Sequence, residues 1–234
     1  MPVAALAGLW GGRVPPGGCR KLIHLTVSSH PIGMDSLFLA ALLAFGLYFL
    51  KMKDQRRRVL LLATQLGEFQ IEKLMETLTS GYLRALGEAD AARREQIWLL
   101  LVTTEDQLVE QFKRFSADFA KVDEAAARVS LIPVAVPFAD QLFPKATFDL
   151  RRAIAIHAKG LAEACRNDAQ RSQRDKAFTV SAELFLMQHS CHWFCRSKTT
   201  ASARLLARHQ TRYTQVLASV GPRTRQAYSA LVGA

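Results

Sequence analysis

Apolar residues follow four different patterns along the chain. From Ser36 to Leu50 they form an uncharged run, and from Leu62 onward they recur at three-to-four-residue steps. Between Leu131 and Phe148 they are interleaved with prolines, and from Ala177 to Cys195 they point all round a helical wheel. No run of alternating apolar and polar residues is convincing as a strand. The patterns predict an all-α chain, with an N-terminal single transmembrane helix followed by an antiparallel helical bundle of long, coiled-coil-like helices.

Met34 to Met52 would rise roughly 28 Å as a helix, close to the thickness of a hydrocarbon core. Lys51, Lys53, Arg56, Arg57 and Arg58 follow the run, whereas Asp35 is the charge on the near side and the nearest preceding basic residue is Lys21. The positive-inside rule therefore places the N-terminus outside and the bundle in the cytoplasm, which in a bacterium means a single-pass protein of the inner membrane. A cleaved signal peptide and a buried soluble helix are the competing readings. No A-x-A arrangement follows the run, and the basic block opposes translocation.

Residues 1–33 hold 6 of the 13 glycines and 4 of the 8 prolines without apolar periodicity. They read as a disordered or wrongly assigned extension, with Met34 a natural start. The remaining divisions are a membrane helix at 34–52, a helical hairpin at 53–129, a Pro-rich apolar crossover at 130–149 and a basic helical region at 150–234.

Within the hairpin, Leu62, Leu66, Phe69, Leu74, Leu78 and Tyr82 extend the membrane helix to about Leu86. Gly87 then supplies a break and Asp90 an N-cap. Ile97, Leu101, Thr104, Leu108, Phe112, Phe115, Phe119, Val122, Ala126 and Val129 form a near-heptad stripe on the second helix. Pro133, Pro137 and Pro144 stop the helical pattern in a segment too apolar for a free linker. Thr147 or Asp149 caps the next helix, and the polar stretch Arg166–Lys176 leads to a central buried helix over Ala177–Cys195. A last long helix runs from about Leu205 to Val220, and a short terminal one starts at Pro222.

The net charge of +11 is unevenly spread. It is +6 over residues 1–58, −5 over 59–150 and +10 over 151–234. An acidic middle argues against a nucleic-acid binder. Arg204, Arg208 and Arg212 are spaced four apart, which on one helix aligns three guanidinium groups for an anionic leaflet or a partner, or for pairing with the acidic hairpin. Lys51, Lys53, Arg56, Arg57 and Arg58 are candidates for the same membrane-surface or partner contact.

No GxGxxG, Walker loop, HExxH, GxSxG or paired CxxC occurs, and nothing gives a positive sign of an enzyme. The chemistry-bearing cluster is His189, Cys191, His192 and Cys195, which fall on neighbouring arcs of one helix and could ligate zinc, copper or haem iron. Core packing of small apolar thiols, reduced in a cytoplasm, is the simpler account. The expected role is thus a membrane-anchored helical interaction or scaffold protein without a cofactor, whose partners are the lipid bilayer and another protein or a second copy. A metal- or haem-binding protein using the His189–Cys195 helix is the alternative.

Overall fold

The computed structural model describes residues 34–233. They form nine helices and one short two-stranded ribbon: α1 (Met34–Leu66), α2 (Ile71–Gly87), α3 (Ala91–Phe119), β1 (Arg128–Ser130), α4 (Ala139–Leu142), β2 (Thr147–Asp149), α5 (Leu150–Arg166), α6 (Gln173–Cys195), α7 (Lys198–His209), α8 (Tyr213–Ser219) and α9 (Pro222–Val232). The expectation for residues 1–33 lies outside the described residues. Two units divide at Ala40, the first containing the opening turns of α1 and the second everything from Ala41 onward.

Among the described residues α1 is the one helix long and apolar enough to cross a membrane. Every residue from Asp35 to Leu50 is exposed, including Phe38, Leu43, Phe45 and Phe49. Beyond Lys51 the same helix changes character, and Asp54, Gln55, Arg58 and Leu62 are buried. It ends at Leu66, about twenty residues before the predicted end at Leu86. Gly67 stands at the break, where helix is costly, and Phe69 and Gln70 carry the chain into α2.

Helices α2 and α3 form the antiparallel hairpin, joined by Glu88–Asp90. The Asp90 carboxylate accepts from the Arg93 N–H at 2.7 Å, as an N-cap should. Ile71, Met75, Leu78, Tyr82 and Ala85 on α2 are buried, as are Ile97, Leu101, Leu108, Phe112, Phe115 and Phe119 on α3. Gly81 allows close approach here, since a Cβ there would lie 2.4 Å from a Leu101 methyl carbon. The stripe stops being helical at Phe119: Ala126 follows in a turn, and Val129 belongs to β1. Arg128–Ser130 pairs antiparallel with Thr147–Asp149, a strand pair that side-chain alternation over three residues is too short to announce.

Asp149 caps α5, accepting from the Arg151 N–H at 2.9 Å. The polar stretch divides into a loop, in which Asn167 and Gln170 take the left-handed conformation, and the first turn of α6. That helix is the central one. Its buried residues lie on every side, from Ala177 and Val180 through Leu184 and Met187 to Trp193 and Phe194. Helix α5 packs along it, α7 and α8 fold back over its far side, and α9 lies on α5. The predicted long last helix is two helices, because Gln210 adopts φ 52° and closes α7.

Candidate functional site

A groove of about 610 Å³ runs between the second half of α1, α2, α6 and α7. Its floor is apolar, formed by Leu62, Leu66, Ile71, Met75 and Met187 with the two thiols Cys191 and Cys195. His192 on α6, Arg196 just past its end, and Arg204, Arg208 and His209 on α7 line it, with Glu72 and Glu76 from α2. Five residues singled out from the sequence therefore meet here: Cys191, His192, Cys195, Arg204 and Arg208. None of the described ion pairs involves Arg204, Arg208 or Arg212, and pairing with the acidic hairpin is not their arrangement. Arg212 departs from the predicted row. It follows the Gln210 break and is the N-cap of α8, where its N–H donates to Gln215 Oε1 at 3.0 Å.

Burial and neighbouring cations set the protonation of the groove. Burial lowers His192 to about 4, helped by Arg204, Arg208 and His209, and the ring is neutral at pH 7. Burial raises Cys191 to about 12, and it raises Cys195 to about 11 despite Arg196, Arg58 and Arg204. Both thiols are therefore held protonated at pH 7, away from the nucleophilic thiolate form. The Cys191 thiol points at Met187 Sδ, 3.8 Å away. His189 turns away from the groove floor, with its Nε2 3.0 Å from Ser202 Oγ and its ring stacked 4.5 Å from Tyr213. Among the described residues no group of three or more His, Cys, Asp or Glu is placed to hold a metal ion. An apolar floor beneath guanidinium groups is suited instead to an anionic group carrying an apolar body.

A second constellation went unread in the sequence because its members are far apart there. His157 on α5 places Nε2 2.9 Å from Ser190 Oγ on α6, and Ser190 also lies 2.9 Å from the Tyr228 hydroxyl on α9. Its hydroxyl bonds the Leu186 carbonyl as well, at 3.1 Å. All three side chains are sealed in the core. Burial drives His157 down to about 3, and a neutral imidazole beside a serine with three partners ties three helices together. Glu183 lies in the same core and accepts from the Gly221 N–H at 2.9 Å. The visible signal was polarity on apolar faces, since His157, Ser190 and Tyr228 each occupy a position that the helical pattern assigns to the core.

The third constellation lies on α1. Arg58 is buried rather than surface-facing, a correction to its assignment among the surface contacts. Its guanidinium meets Asp54 at 3.3 Å, Asp140 at 2.5 Å and the Arg128 carbonyl at 2.9 Å. Lys53, Arg56 and Arg57 remain exposed and Lys51 half-buried. The partner Asp140 is distant in sequence, and nothing local marks Arg58 off from Arg56 and Arg57. The chain matches no family model, no curated protein and no solved structure.

Proposed function

We propose that the protein is a single-pass, membrane-anchored helical platform whose bundle stands in the cytoplasm and docks a protein partner or a second copy of itself. The observation that carries this reading is the change of character along α1. Ten large apolar side chains between Leu37 and Leu50 are exposed, an arrangement that is costly in water and natural in lipid. The next turns of the same helix are fastened into the bundle by Asp54, Gln55 and Arg58.

Support for a docking role comes from the far end of the hairpin. Leu83 and Leu86 at the end of α2, and Leu99, Leu100 and Val102 in the first half of α3, are exposed. That end is distant from the span. The Tyr82 hydroxyl donates to Glu105, which pairs with Lys176 in the first turn of α6, while Arg196 just past the end of α6 reaches Gln55 on α1. Twenty residues of α6 thus separate the leucines from the emergence of α1, about 30 Å.

A reporter fused after Ala234 tests the orientation. A fluorescent protein that matures only in the cytoplasm is expected to glow, a phosphatase active only outside is expected to be silent, and the chain should stay in the membrane fraction through alkaline extraction. Release by alkali would overturn the anchor, and an active phosphatase would overturn the orientation.

A further inference from the structure

The crossover from Leu131 to Ala146 carries apolar side chains that the bundle leaves uncovered: Val134 is 60 % exposed, Leu142 64 % and Phe143 50 %. Yet the segment is firmly held. Asp140 is buried against Arg58, and the Phe138 N–H donates to Asp54 Oδ2 at 3.4 Å. Phe138 itself takes a left-handed conformation, φ 52°, which a bulky residue adopts at a cost and keeps only where its surroundings impose it. On the other side, the Pro133 carbonyl accepts from both the N–H and the hydroxyl of Thr199, at 3.1 and 2.9 Å. A loop so fixed presents its apolar side chains by construction.

The place of attachment says what they face. Asp54 is four residues beyond Leu50, the end of the uncharged run, or roughly 6 Å along the helix axis. A headgroup layer is about that thick on each side of the hydrocarbon core. Lys51, Lys53 and Arg56 lie at this level on α1, and Lys145 adds an exposed cation on the loop. Apolar side chains among lysines at headgroup height match the chemistry of an anionic bilayer interface.

We infer that the 131–146 crossover is a second membrane contact, whose Val134, Leu142 and Phe143 enter the headgroup–acyl boundary of the leaflet from which α1 emerges. The inference rests on the reading of α1 as a membrane span. The buried Asp54–Arg58–Asp140 group sets the loop at that height, a specificity role for charges whose burial is a poor source of stability.

The test uses the full chain reconstituted in phosphatidylcholine–phosphatidylglycerol vesicles, with ordinary or acyl-chain-brominated lipid. Four single variants, Phe45→Trp, Val134→Trp, Phe143→Trp and Leu83→Trp, add an indole at exposed positions, and the unchanged chain supplies the baseline. Phe45→Trp, Val134→Trp and Phe143→Trp are expected to show blue-shifted added emission that is lost in brominated lipid. Leu83→Trp should show no loss of emission in brominated lipid. Quenching at Phe45→Trp without quenching at Val134→Trp and Phe143→Trp would overturn the loop contact and leave the span standing. No quenching at Phe45→Trp would overturn the span and the loop contact with it. Loop indoles untouched by bromine yet shielded from aqueous acrylamide would assign the loop to a protein, and the lipid assignment would fail.

Discussion

Burial pushes the Glu183 carboxyl up to about 7, against the opposing pull of the Gly221 N–H and the Thr224 hydroxyl. It lowers His157 to about 3 and His189 and His192 to about 4. These shifts have opposite linkage signs. A histidine depressed from its unfolded value near 6.5 contributes stability that is complete above that pH and is lost as pH falls toward its folded value. A raised carboxyl contributes stability that is complete below about 4.5 and is lost as pH rises through 7. Three histidines outweigh one carboxyl, and the urea midpoint in mild detergent should fall as pH is lowered from about 6.5 to about 4. Glu183→Gln removes only the opposing contribution. It should stabilise the protein at pH 8, on the order of 1 kcal/mol, and change little at pH 4.5. An equal effect at both pH values would mean that Glu183 is not the group that titrates.

Among the elements, α6 was the most legible and α7 among the least. Apolar residues all round a wheel report burial directly, and Ala177–Cys195 is accordingly the centre of the bundle. The break at Gln210 carries no glycine or proline, and its left-handed φ is a product of how α7 and α8 fold over α6. Asp90 and Asp149 were readable as caps because capping is local, one carboxylate on the amide two or three residues ahead. Arg58 was misread for the opposite reason, since what buries it comes from β1 and α4. Removing it in Arg58→Ala strands the Asp54 and Asp140 carboxylates in the core and should cost about 3–5 kcal/mol in chemical denaturation. Replacing Arg58, Asp54 and Asp140 together by Met, Leu and Leu should restore most of that loss. A triple variant no more stable than Arg58→Ala would show that the packing around the charges, rather than the stranded carboxylates, is what matters.

At the scale of the whole molecule, the sequence made the helical class plain, and with it a helix long and apolar enough to cross a membrane, because both are written in composition and period. It could not locate the groove, whose walls come from four helices, or the leucine-rich end, since Leu83 and Leu99 become neighbours in meaning only once the hairpin is folded. If that end docks another chain, Leu99→Glu with Leu100→Glu should abolish chemically cross-linked species in intact membranes. The pair should leave the unfolding midpoint within about 0.5 kcal/mol of the parent, as exposed substitutions do. Cross-linking that persists unchanged would move the docking surface elsewhere on the bundle.

Between Leu47 and Leu66 α1 contains neither glycine nor proline, and its hydrogen-bonded ladder is unbroken where it passes from exposed to buried surroundings. Such a rod has no hinge between its exposed and its buried stretch. From Ala41 onward α1 and the bundle belong to one compact unit, and that stretch of the helix would turn with the bundle. If α1 spans a bilayer, tilting of that helix in a thinner one would swing the leucine-bearing end sideways, which would make lateral reach a function of bilayer thickness.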